Sequence, residues 1–175
     1  MWQFTSGEFW LRGSIWLALA AGVTALGLRR TMAVAWAWRV GAGWYLVHVA
    51  AAFQFRHGWS HVTATEATAR QTAAVTGWNL GAGIWVNYAF TAAWVVVAAR
   101  WPCLAPGLRR GWIIWFLFMT VNGAVIFVSG PERWVGIVLT TLALAAVFRP
   151  GAGTSGSRPA AVSGGGRRAT TDRHP

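Results

Sequence analysis

Four side chains between residues 48 and 66 could hold a metal ion or move a proton: His48, His57, His61 and Glu66. On a continuous helix the spacing His57-x-x-x-His61 would set two imidazoles about 40° apart around the axis, an arrangement that suits a transition metal. His48 or Glu66 would be the third ligand of such a transition metal, and the pattern does not fix which cofactor, if any, is held. Against it, Gly58 separates the two histidines and the acidic neighbour of the zinc-protease pattern is missing. A polar cluster at a membrane interface, beside Trp59, accounts for the same residues without any metal.

His48 precedes His57 by nine positions, which is about 13 Å of helix. In a straight helix it would point to the opposite side, so sharing an ion with His57 requires a break near Phe53 to Gly58. A haem would need a second axial ligand at the same depth, from Met119 or from a second copy of His48. A structural role, hydrogen-bonded to Asn87 or Asn122 of a neighbouring helix, is the plainer expectation.

Other chemistry is thinly represented. Cys103 is the single cysteine, so no intrachain disulfide or multi-cysteine metal site can form, and no histidine lies near it in sequence to serve as its base. There is no Gly-x-Ser-x-Gly, no phosphate-binding Gly-x-x-x-x-Gly-Lys and no close pair of carboxylates. No acidic residue lies deep in the predicted spans, Glu132 being at the outer end of the fifth, which argues against a pump or ion-coupled transporter.

The elements that must position these residues follow from composition. Hydrophobic residues make up 55% of the chain and charged residues 11%. A soluble domain carries nearer a quarter charged, and the mean hydropathy is +0.44. Many of the 14 Trp sit where apolar runs begin or end, as at Trp10, Trp59, Trp78, Trp101, Trp112 and Trp134, the placement of an aromatic belt at headgroup level. The predicted class is all-α: a polytopic helical membrane bundle of about five transmembrane helices, near 9–28, 40–55, 81–99, 111–129 and 130–148. The second could start earlier than 40, and the fifth is short, so a surface position for it would leave four spans.

All 15 basic residues are arginine. With strictly alternating spans, 11 of them (Arg29, Arg30, Arg39, Arg100, Arg109, Arg110, Arg149, Arg158, Arg167, Arg168 and Arg173) fall on one side and Arg12, Arg56, Arg70 and Arg133 on the other. That asymmetry predicts the N-terminus outside and the C-terminus inside. Arg29 and Arg30 follow the first apolar run instead of preceding it, so the run reads as a retained helix and not as a secretory signal. In the outer segment, Thr63 and Glu66 have capping-box spacing and Gly77 suits a left-handed stop, which predicts a short helix at 64–76 with Glu66 and Arg70 paired. Residues 150–175, rich in Gly, Ala and Arg, are expected to be a disordered cytoplasmic tail.

The net charge of +11 flanks apolar runs and forms no basic face with interleaved aromatics, so a nucleic-acid partner is not expected. The expected partners are the lipid bilayer of a bacterial inner membrane, with other membrane subunits or a second copy of the chain. Two functions stay open: a non-catalytic membrane protein or complex subunit, and a metal-dependent or redox membrane enzyme using the outer histidines.

Overall fold

A computed structural model describes residues 6–149 of the chain; the expected tail at 150–175 lies outside them. The described residues form six α-helices and no strand. α1 (Ser6–Gly27) opens with Glu8 in its first turn, where a carboxylate meets the positive end of the helix dipole. α2 (Thr31–Ala52) begins nine residues before the predicted start at Val40. Arg39 does not end the apolar run: inside α2 its Nε donates to the Ala98 carbonyl at 3.3 Å and its guanidinium lies 5.2 Å from the Trp36 ring. A helix absorbs such an arginine because the stem packs while the head finds partners.

α2 widens into a π-helical turn, Phe53–His57, and the chain then reverses through Gly58 and Trp59, both left-handed with φ of 55° and 59°. A tryptophan in that region is strained. Trp59 is held there by its backbone N–H donating to Phe53 O at 3.1 Å and by its indole N–H donating to Gln54 Oε1 at 2.9 Å. α3 (His61–Thr76) follows, closed by Gly77 at φ 78° as expected. Its N-cap is Ser60, whose hydroxyl accepts from the Thr63 N–H, so Thr63 is not the cap and the helix starts three residues before the predicted Ala64.

α4 (Gly83–Arg100) leads through a 3-10 turn, Trp101–Cys103, into α5 (Pro106–Val121). Pro106 fits the first turn, where its missing N–H would have had no partner. α5 also ends in a π turn, Asn122–Ile126, where Asn122 Nδ2 donates back to Phe118 O at 2.7 Å. α6 (Glu132–Val147) closes the described fold.

α1 packs along both α2 and α6, and α2 packs along α4. The centre is aromatic. Trp38 and Trp94 of neighbouring helices are fully buried, with Phe116 between them and α1. Trp38 meets Trp94, Trp101, Trp112 and Phe116 at ring separations of 6.2, 5.4, 5.6 and 5.1 Å, mostly edge to face, the geometry that ring quadrupoles favour. Two glycines make room: the Phe116 ring occupies the space a side chain at Gly22 would need, and at Gly136 a Cβ would strike the Ala124 carbonyl.

Candidate functional site

The π turn at the end of α2 and the Gly58–Trp59 reversal bring the start of α3 beside the start of α4. Six rings gather there. Phe53 contacts His57, Trp59 and Tyr88 at 5.7, 5.8 and 6.4 Å, and His61 lies 5.5 Å from Trp85 and 5.7 Å from Tyr88. His57 and His61 thus share one cluster through Phe53 and Tyr88, but they do not share a helix. The left-handed turn between them replaces the helical spacing on which the metal expectation rested.

His61 Nδ1 and the Tyr88 hydroxyl are hydrogen-bonded at 3.0 Å. The Thr65 hydroxyl donates to His61 O at 2.9 Å, so its proton is committed, and its longer 3.5 Å contact with His61 Nε2 is served by an Nε2–H donor. That tautomer leaves Nδ1 to accept from Tyr88. His57 differs: its Nδ1 is buried with no hydrogen-bond partner. Loss of hydration pushes the His57 pKa below the ordinary histidine value, and the adjacent Arg56 cation adds to the effect. The ring is therefore held neutral, with a lone pair able to bind a proton or a metal.

His48 and Glu66 are engaged elsewhere. His48 Nδ1–H donates to the Leu11 carbonyl at 2.9 Å, which joins α2 to α1 and replaces the expected Asn87 or Asn122 partner. The break near Phe53 to Gly58 does occur, but it follows His48 and leaves that ring packed in α2 against Tyr45. Glu66 forms an exposed pair with Arg70 at 3.7 Å, as its spacing predicted. Among the described residues, no three His, Cys, Asp or Glu side chains converge on a common point. Cys103 is exposed.

A second cluster was not foreseen. Glu8 pairs with Arg12 at 2.9 Å and with Arg56, while Arg12 also pairs with Glu132. The four charges, a quarter to a half exposed, tie the start of α1, the end of α2 and the start of α6 at the same end of the bundle. The Glu8-x-x-x-Arg12 spacing was the available signal for the first pair; the link to Glu132 spans the chain and has no local trace.

At the other end the arginines have no acidic partners among the described residues. Glu8, Glu66 and Glu132 are all in ion pairs at or beyond the first end, whereas Arg29 and Arg109 line one cavity among the ends of α1, α2 and α6. Compared with known protein families, curated proteins and solved structures, the chain matches none, so its chemistry is read from its own residues.

Proposed function

We propose that this is a polytopic membrane protein whose spans are α1, α2 to about Phe55, α4, α5 with its π turn, and α6. α3 and the ring cluster would lie at the outer face, with the N-terminus out and the C-terminus in. Within the membrane the chain works without catalysis of its own, as a component that joins other subunits or a second copy.

The carrying observation is where the apolar side chains sit. Large hydrophobic residues exposed on the surface outnumber the large buried ones: Trp36 and Val40 on α2, Val95 and Val96 on α4, Ile114 and Phe118 on α5, and Val138 and Leu142 on α6. Leaving each in water forgoes roughly 1.5–3 kcal/mol, and apart from Arg39 inside α2 few charges interrupt these faces. Lipid covering them removes the cost. One helix, Gly7–Gly27, is by itself long and apolar enough to cross a bilayer. α2 and α4, at 22 and 18 residues, have sufficient length, since about 20 residues span the hydrocarbon core; their Trp, Arg39 and Asn87 make them less apolar in composition. α6, at 16 residues, spans with help from its flanking Pro131 and Phe148 turns or from local thinning of the bilayer.

Thiol labelling in intact cells tests this. Native Cys103 is exposed beside the arginine-rich end, and Gln71 is exposed on α3. An impermeant reagent should label Gln71→Cys in a Cys103→Ser background and spare native Cys103 until the membrane is opened. Labelling of both, or release of the protein from membranes at alkaline pH, refutes the reading.

A second reading is favoured by the unpartnered, neutral His57, in the same ring cluster as His61: a metal-dependent or redox enzyme with a transition metal on His57 and His61. His61 would have to give up Tyr88 at its Nδ1, and Glu66 and His48, the further ligands the sequence suggested, would have to leave Arg70 and Leu11 to join it.

A further inference from the structure

The arginine-rich end contains a cavity of about 300 Å³ between the ends of α1 and α6, the start of α2 and α5, and the Trp101 turn. We propose that this cavity binds the phosphate group of an anionic phospholipid from the inner leaflet, a proposal that rests on the membrane reading above. Arg29 and Arg109 both line it. Two guanidinium forks match the oxygens of a phosphodiester, which accepts charge-assisted hydrogen bonds from both.

Arg109 is held in place before any ligand arrives. One Nη donates to the Pro102 carbonyl at 3.0 Å and the guanidinium lies 5.5 Å from the Trp101 ring. Its Nε is buried and has no acceptor. The indole N–H of Trp38, a fully buried ring that also lines the cavity, has none either. Buried donors without acceptors cost free energy, so the Arg109 Nε–H and the Trp38 indole N–H, in a lining that also includes the Arg29 cation, mark a place suited to an anion.

Carboxylates of the protein do not fill that role among the described residues, because Glu8, Glu66 and Glu132 are paired with other arginines. Apart from the Thr31 hydroxyl the rest of the lining is apolar, with Leu26, Leu28, Ile113 and Val147, and Leu28 is exposed, as is Phe148, which follows Val147. A free phosphate would leave this apolar wall unused, whereas a lipid lays its acyl chains on it. Basic pockets between spanning helices on the cytoplasmic side are a known way to hold acidic headgroups.

The test uses the full chain, delipidated in neutral detergent and offered phosphatidylglycerol, phosphatidylcholine or inorganic phosphate, with bound species read by native mass spectrometry. One phosphatidylglycerol should be retained, and Arg29→Gln with Arg109→Gln should weaken its retention by about thirty-fold. Arg100→Gln with Arg110→Gln, at the same end but outside the cavity lining, should change it little. Near-ultraviolet circular dichroism of each variant separates a lost site from a lost fold, and Arg109→Lys, which keeps the charge, should retain part of the binding. Equal retention of phosphatidylcholine, or equal loss in both double variants, overturns the proposal. Binding of inorganic phosphate with the same arginine dependence and no lipid retention overturns the lipid source and leaves an anion site. Failure of the labelling experiment instead overturns the membrane reading, and with it this proposal's source of ligand.

Discussion

The indole N–H of Trp94 donates to the backbone carbonyl of Trp38 at 3.2 Å, across 56 positions of sequence, and both rings are fully buried. This one bond fixes α4 against α2 at the centre of the aromatic core. Trp94→Phe removes the donor while keeping an aromatic ring; hydrogen bonds between membrane helices average about 0.6 kcal/mol, and the smaller ring adds to that. Trp38→Ala leaves a large void touched by four other rings and should cost about 3–5 kcal/mol. Thermal unfolding in detergent should show a small shift for the first and a large one for the second, and equal shifts would contradict this account of the core.

Helix α6 approaches the π turn at 122–126 more closely than any side chain permits. A Cβ at Gly136 would meet the Ala124 carbonyl, which is backbone and cannot rotate away, whereas at Gly123 the space is open. Gly136→Ala should therefore separate α6 from α5 and raise proteolysis around Gly130 to Trp134, while Gly123→Ala should leave the cleavage pattern unchanged. Similar cleavage of the two variants would show that the contact does not hold α6.

Much of the helical order was legible in sequence because apolar runs and glycine stops are local signals. The stop at Gly77 and the pairing of Glu66 with Arg70 emerged as spacing predicted. Arg39 was misread because a charge inside an apolar run looks like an end, and nothing local reveals the Ala98 carbonyl that receives it. Thr63 was mistaken for the cap because the Thr-x-x-Glu spacing was satisfied three residues inside a helix already begun by Ser60. At the candidate site His57 and His61 were found by type, but their geometry was not, since it depends on a left-handed tryptophan that favours no sequence rule. Tyr88 joined the site only through tertiary contact, and Phe53 through the π turn it shares with His57.

Glu8 is the hub of the ion network, accepting from both Arg12 and Arg56, while Glu132 serves Arg12 alone. Glu8→Gln should destabilise more than Glu132→Gln, because it removes a partner from both arginines and leaves Arg56 with none among the described residues, whereas Arg12 keeps one anion in either variant. The groups are partly exposed, so each effect is about 1 kcal/mol or less. High salt should narrow the gap between the variants by screening the parent's pairs. A double-mutant cycle on Arg12 and Glu132 that gives no coupling would show that this pair does not join α1 to α6.

His57 offers a pH signature that separates the two functional readings. Its folded pKa lies below the unfolded value, from burial first and from Arg56 second. Above about 6.5, the unperturbed value, both folded and unfolded forms are neutral and the group has no effect on stability. As pH falls below that value the unfolded state takes up the proton first, so stability declines until the folded ring also titrates. His57→Gln should flatten this acid-side decline in unfolding experiments; an unchanged slope would assign it to other groups. A metal would compete for the same lone pair, so a metal-bound parent should resist acid more than the stripped protein and should release metal as the pH falls. Metal analysis of the parent, His57→Ala and His61→Ala at neutral pH decides between the readings. Metal in the parent and none in either variant favours the enzyme, whereas equal content in all three, or none in the parent, leaves His57 as a neutral ring packed on Phe53 and supports the non-catalytic membrane component.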